Sequence, residues 1–193
     1  MTLLSLSTFI ANYCACVVLD QIVRCAIEVQ AYSANTESMP RYGFVILNAV
    51  PVWQAAWFGT YPNRRGVTVI LIDPFNCSAL ESRRFDTWGD ADASTELANY
   101  LQQVSCGNII LGVTGDEPRR NLASALPALR EIGADVADVQ GRGSFAFVAQ
   151  KGHPAKTVLR KVLTAAESNV NPARFNATIT GAIERGIQRC RSI

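Results

Sequence analysis

Apolar residues along this chain occur in short unbroken runs and in helical stripes, which together predict strands alternating with helices. The segments 66–73 (GVTVILID) and 108–113 (NIILGV) are dominated by aliphatic, largely β-branched residues. Such runs are typical of strands that are covered on both faces. Shorter apolar segments predict three further strands, at residues 24–31, 43–48 and 144–149.

A helical stripe follows the first long run. In residues 92–104, one helical face would carry Leu97, Tyr100, Leu101 and Val104. This i, i+3, i+4, i+7 spacing predicts an amphipathic helix. Asp92 is expected to accept the free N–H groups of its first turn, and Gly107 to end it.

A second helix is predicted from Asp116 to Gly133. The carboxylates of Asp116 and Glu117 would then face the positive end of the helix dipole. Pro127 falls inside the apolar stripe of this segment and is expected to kink the helix.

Beyond residue 154 the pattern predicts two more helices, near 155–167 and 175–189. Strands lie close together in sequence and only some are joined by helices, which favours an α+β fold. We expect a mixed, partly antiparallel β-sheet core of two facing sheets, with flanking helices and a helical C-terminal tail. A chain of 193 residues fits one domain, placed at 16–153, with a basic helical extension at 154–193.

Composition excludes a disordered chain, since 49% of residues are hydrophobic and 18% charged. The C-terminal region is basic, with eight Lys or Arg residues from Lys151 onward against Glu167 and Glu184. This basic region could meet an anionic glycan, a phosphate or a membrane, or it could form only solvated helix faces.

Residues 1–11 are apolar and uncharged, and residues 1–15 are interpreted as a signal peptide, too short to span a bilayer. Two glycosylation triplets, at Asn76 and Asn176, are consistent with secretion. We therefore expect an extracellular protein, or alternatively one of the ER–Golgi lumen, with no stable membrane span.

Six cysteines without C-x-x-C spacing, and a single histidine, argue against a zinc site and favour disulfides in an oxidising compartment. One hypothesis pairs Cys190 with Cys14, Cys16 or Cys25. Cys106, which precedes a predicted strand, is interpreted as a small core hydrophobe.

Catalysis is not predicted. The lone His153 lies in a turn-like K-G-H-P segment with no orienting group that the sequence identifies. Gly141 and Gly143 follow no strand and open no helix, so they are not a dinucleotide fingerprint. Asp116 and Glu117 are adjacent, which on a helix points them about 100° apart. We expect no enzyme activity, no metal, no cofactor and no nucleic-acid partner.

One ordered pattern covers residues 66–152. The run Arg83-Arg84-Phe85-Asp86-Thr87-Trp88 follows the first long strand, and then come a helix, a strand and Asp116-Glu117. Another helix and the stretch from Arg142 to Gly152 complete the pattern. This order resembles the ILEI/PANDER-type domain. The resemblance implies that Phe85, Asp86 and Thr87 form the structural motif at the core of the fold. Turn chemistry independently predicts that Asp86 holds a turn by accepting backbone N–H groups.

The resemblance also implies a ligand site. In the stem of a protein O-mannose N-acetylglucosaminyltransferase, such a domain is similar to a small carbohydrate-binding module. Its polar positions match Arg83, Asp116 and Arg142 here. The chain departs from the family at Gly143 and Phe145, where an acidic residue and a tryptophan are usual. The expected function is glycan recognition, with a cytokine-like ligand of a cell-surface receptor as the alternative and a homodimer left open.

Overall fold

A computed structural model of the protein describes residues 21–33, 42–56 and 64–183. Within these residues, nine strands and three short helices follow one another along the chain. The strands are β1 (Gln21–Gln30), β2 (Tyr42–Leu47), β3 (Val50–Ala56), β4 (Gly66–Ile72), β5 (Ala79–Phe85), β6 (Ile109–Gly115), β7 (Ser144–Gln150), β8 (Val158–Val162) and β9 (Arg174–Ile183). The helices are α1 (Ala93–Gln103), α2 (Leu126–Glu131) and α3 (Ala165–Val170).

The strands form two sheets. One has the order β3-β2-β1-β9, and the other has the order β5-β4-β6-β7-β8. The prediction of two sheets is confirmed, but the expected mixture of parallel and antiparallel strands is wrong for the described residues. Every strand pair among them is antiparallel.

The two long apolar runs form the central strands β4 and β6, and each faces two separate cores. Ile70 and Ile72 of β4 pack in the core shared with the four-stranded sheet. Val67 and Val69 of the same strand pack in a second core beneath α1 and α2. Side chains alternate between the faces of a strand, so burial on both faces requires an unbroken apolar run.

Helix α1 confirms its predicted stripe, because Leu97, Tyr100, Leu101 and Val104 are all buried in the second core. The expected cap is wrong in detail. Asp92 occupies the N-cap position without a side-chain hydrogen bond, and Asp90 Oδ1 instead accepts from the Asp92 N–H at 2.9 Å.

The predicted long helix from Asp116 to Gly133 is wrong. Asp116 has a left-handed φ of 59°, which a helix interior does not allow, and a turn-rich loop follows it. A single 3-10 turn at 123–125 leads into the short helix α2. Pro127 lies in the first turn of α2, where its missing N–H breaks no bond, so it causes no kink.

The predicted helical tail is also wrong over the described residues. Strand β8 occupies part of the first expected helix and β9 part of the second. Strand β9 pairs with β1 over ten residue pairs, and its exposure alternates, with buried Phe175 between exposed Arg174 and Asn176. Residues 184–193 lie outside the described residues, and the proposed domain boundaries at 16–153 and 154–193 stay predictions.

A disulfide joins Cys25 on β1 to Cys77 in the β4–β5 turn, and so connects the two sheets. Cys106 is disulfide-bonded as well, so its interpretation as a mere core hydrophobe is wrong. The hypothesis of a bond from Cys190 to Cys25 is excluded, since Cys25 is paired with Cys77. Cys14, Cys16 and Cys190, like the signal-peptide segment 1–15, lie outside the described residues.

Candidate functional site

Four loop segments meet on the side of the five-stranded sheet where β4 and β7 begin and β5 and β6 end. Strand β4 begins at Gly66, which lies opposite Gly115, the last residue of β6. Phe85, the last residue of β5, lies opposite Val67. Because β7 runs antiparallel to β6, the segment before Ser144 reaches the same edge. We call this region the loop edge and define it as residues 64–65, 86–92, 116–122 and 140–143.

Asp116 lies at the centre of the loop edge. Its residue exposure is only 5%, yet among the described residues no group donates a hydrogen bond to its carboxylate. Burial raises the pKa of Asp116 to about 6, and the carboxylates of Glu117 and Asp86 add to that rise. The guanidinium groups of Arg65 and Arg142 act in the opposite direction. A buried carboxylate without donors is costly, and here it is available to an outside partner.

The neighbouring Glu117 is buried and fully used inside the protein. One carboxylate oxygen accepts from the Arg119 N–H at 2.8 Å, and the other accepts from the Arg142 N–H. Ser33 Oγ donates to the Arg142 carbonyl at 2.7 Å. Arg142 has a left-handed φ of 60°. These bonds fix the backbone of Arg142 beside Asp116. Arg142 itself is exposed.

Asp86 forms the second charged centre of the loop edge. Arg65 donates to its two oxygens at 2.9 and 2.6 Å, a bidentate geometry that binds strongly. Burial acts to raise the pKa of Asp86, but hydrogen bonds from Arg65 and from the Gly89 N–H outweigh it and lower the pKa. Asp86 therefore remains ionised and holds Arg65 in place next to Asp116.

The loop segments are joined by hydrogen bonds, of which that between Thr87 and Pro118 is buried. Thr87 Oγ1 donates to the Pro118 carbonyl at 2.7 Å, and the Asn121 N–H donates to the Thr87 carbonyl at 2.7 Å. The Asn121 side chain also donates to the Trp88 carbonyl. Phe85 lies in the core, 5.5 Å from the ring of Tyr100 between centroids. The three motif residues thus lie where the 86–92 and 116–122 segments are fixed together.

The three residues predicted for the ligand site are placed differently. Asp116 and Arg142 interact electrostatically at the loop edge. Arg83 lies two residues before the end of β5 and faces helix α1, where it pairs with Glu96 at 3.3 Å. Its guanidinium also lies over the rings of Phe85 and Tyr100. The structure therefore brings together Asp116 and Arg142, and Arg83 contacts a different element.

Sequence reasoning did not identify Arg65, Glu117 or Arg120 as site residues. Trp88 is 37% exposed, and its ring lies 4.4 Å from the guanidinium carbon of Arg65 and 5.0 Å from that of Arg120. Alternation of arginine with an aromatic residue could have signalled this contact, but Arg120 is 32 positions from Trp88. Such a pairing depends on the fold that brings the loops together.

The chemistry available at the loop edge is binding. It offers the carboxylate of Asp116 as an acceptor and several guanidinium groups as directional donors. Across the described ranges, no group of three or more His, Cys, Asp or Glu side chains could hold a metal ion. His153 lies at the start of a 3-10 turn and belongs to none of the four loop segments.

The loop edge falls almost entirely within a segment that matches a known domain family. A family model described as "Interleukin-like EMT inducer" (ILEI) matches residues 65–153, which include β4 to β7 and the loop edge except residue 64. The resemblance to the ILEI/PANDER-type domain is confirmed over these residues. The ILEI match covers somewhat less than half of the chain and excludes the four-stranded sheet.

Two curated relatives carry the same printed name, cell migration-inducing and hyaluronan-binding protein. The Homo sapiens protein is 34% identical over 96 residues, and the Mus musculus protein is 33% identical over 96 residues. Each alignment covers 49% of this chain and 7% of the relative. The similarity therefore concerns one ILEI-type segment of much longer proteins. Within the described residues, no helix is both long and apolar enough to cross a membrane.

Proposed function

We propose that this protein is a non-catalytic extracellular recognition module that binds a glycan at its loop edge. The carboxylate of Asp116 carries the proposal, because it is buried, lacks an internal donor and interacts with the guanidinium groups of Arg65 and Arg142. Sugar hydroxyls donate to carboxylates and accept from guanidinium groups, and both kinds of bond are directional. Asp116 would accept from one hydroxyl while Arg142 donates to another.

Rigidity of the loop edge supports a binding role. Hydrogen bonds donated by Thr87 and Asn121, and one that Glu117 accepts from the Arg142 N–H, fix the loops before any ligand arrives. A preformed site loses less conformational entropy on binding than a flexible one. The name of the two relatives, which includes hyaluronan binding, is consistent with a glycan as the ligand class.

The disulfide between Cys25 and Cys77 supports the extracellular part of the proposal. Such bonds persist in secreted proteins and are rare in the reducing cytosol. A secreted location, or the ER–Golgi lumen as the alternative, also fits the family description of an interleukin-like protein.

Glycan-array binding of the purified chain tests the proposal. Asp116→Asn preserves the shape of the side chain and removes its charge, and we expect at least a tenfold loss of affinity for the bound glycans. Arg142→Ala should weaken the same signals. Asp135→Asn and Arg130→Ala are matched controls, because those two residues form an exposed ion pair with each other. Arrays on which Asp116→Asn binds like the wild type would refute the proposal.

The family resemblance also assigns Arg83 to the site. Since its guanidinium pairs with Glu96 and lies over Phe85, we expect Arg83→Ala to reduce glycan affinity less than Arg142→Ala does. Equal losses in the two variants would place Arg83 in direct contact with the ligand.

A cytokine-like ligand for a cell-surface receptor is the second candidate, favoured by the printed description of the matching family. Receptor capture from a cell surface would separate the two functions. Capture that is insensitive to Asp116→Asn and Arg142→Ala, together with blank glycan arrays, would support the receptor ligand.

A further inference from the structure

Arg120 is an exposed cation at the loop edge without a carboxylate partner among the described residues. Its guanidinium carbon lies 5.0 Å from the centroid of the Trp88 ring. Two other arginine residues nearby, Arg65 and Arg84, pair with the same carboxylate of Asp86, at 2.6 and 3.5 Å. Arg120 thus has an aromatic contact but no ion pair among the described residues, and its charge is available to a ligand.

The tryptophan contact makes this cation more than a solvated surface charge. An arginine over an aromatic face is attracted by the ring, and its planar group is held in one orientation. Trp88 itself is held by Arg65 on its ring and by Asn121 at its carbonyl. A guanidinium held in this way can bind a carboxylate with two parallel hydrogen bonds at a reduced entropic cost.

Arg120 is also close enough to Asp116 to act on the same ligand. The two residues are four positions apart in one loop, so their Cα atoms are at most about 14 Å apart. Arg65 connects them physically, since it lies over Trp88 and interacts electrostatically with Asp116. A short oligosaccharide can span this distance.

We propose that Arg120, held against Trp88, binds the carboxylate of a uronic acid in the oligosaccharide whose neighbouring sugar is bound at Asp116. This inference rests on the proposed glycan function and specifies its ligand class as an acidic glycan. Asp116 selects sugar hydroxyls, whereas Arg120 selects the acid. A neutral glycan would satisfy Asp116 and leave Arg120 without a partner.

The proposal is tested by a thermodynamic cycle that combines a change in the ligand with a substitution in the protein. The probe is an oligosaccharide of alternating glucuronic acid and N-acetylglucosamine, and the comparison ligand is the same oligosaccharide with its carboxyl groups reduced to alcohols. Both are titrated calorimetrically into the wild type and Arg120→Gln, with Arg130→Gln as the matched exposed-arginine control. Reduction of the ligand should weaken wild-type binding roughly tenfold and leave the affinity of Arg120→Gln nearly unchanged.

Trp88→Leu provides a second variant that retains Arg120 but removes the ring. It should lose most of the discrimination between the acidic and reduced ligands. Higher salt should weaken wild-type binding of the acidic ligand more than that of the reduced one.

The outcomes separate the inference from the function on which it rests. If the wild type binds both ligands equally and Asp116→Asn binds neither, the acidic-sugar inference is overturned and glycan recognition stands. If Arg120→Gln still discriminates tenfold, another cation binds the acid and the inference is also overturned. Absence of wild-type binding to both ligands overturns the proposed function and the inference together.

Discussion

At the scale of single residues, Asp116 combines a stability cost with the binding role proposed for it. Its pKa of about 6 lies above the ordinary value for an aspartate because the carboxyl is buried. At this carboxyl the folded protein therefore binds more protons than the unfolded chain between about pH 4 and pH 6. The contribution of Asp116 to stability therefore falls as the pH rises through that window, and the cost is fully present above it.

Replacing Asp116 by asparagine should remove this cost. We expect Asp116→Asn to raise the free energy of unfolding by on the order of 1 to 3 kcal/mol at pH 7.5, and to have little effect near pH 4. Chemical denaturation at both pH values measures the difference. An equal effect of the substitution at the two pH values would show that burial of the charge is not the cause.

Asp116 and Arg120 differ in how far the sequence alone predicts them as site residues. Asp116 was predicted as a site residue through the family resemblance, although its expected place at the start of a helix was wrong. Arg120 carried no signal of its own, since one arginine in a polar loop has many explanations. Only its contact with Trp88 distinguishes it.

At the scale of elements, β4 and β6 could be predicted because burial on both faces leaves a distinctive apolar run. Strand β5 could not, since six of its seven residues are exposed and only Phe85 is buried. Strand β5 is an edge strand. Its pairing with β4 identifies it as a strand, whereas its own hydrophobic pattern does not. Strand β9 was mistaken for a helix because short amphipathic segments fit both periodicities.

The loop edge should lose stability when the hydrogen bonds between its segments are removed. Thr87→Val removes the donor to the buried Pro118 carbonyl, and we expect it to lower the free energy of unfolding by about 1 to 3 kcal/mol. Thr87→Ser keeps the hydroxyl and should cost less. Hydrogen exchange should show faster exchange in residues 116–122 of the valine variant. Identical stability of the two variants would contradict the role assigned to this bond.

At the scale of the whole molecule, the match to the known family covers only part of what folds. Residues 65–153 supply the two-sided central strands, but the inner faces of those strands pack on β1 and β2. Ile70 and Leu111, for example, share a core with Val29 and Val45. The four-stranded sheet thus covers the scaffold that holds the loop edge in place.

The Cys25–Cys77 bond should contribute strongly to this arrangement because it closes a segment of 52 residues between the two sheets. In the chain-entropy model, the double variant Cys25→Ala/Cys77→Ala should lose about 4 kcal/mol of unfolding free energy. Thermal unfolding of both proteins measures the loss. A double variant as stable as the wild type would show that the packed cores alone hold the sheets together.

The central claim is that the buried carboxylate of Asp116 accepts the ligand's hydrogen bonds, and the pH dependence of glycan affinity tests it most directly. Titrations between pH 7.5 and pH 5 should show wild-type affinity falling as the pH passes through about 6, because protonation replaces an acceptor with a donor. Asp116→Asn should bind weakly at every pH and show no such transition. Wild-type affinity that is constant across this range, or the same transition in the asparagine variant, would contradict the account.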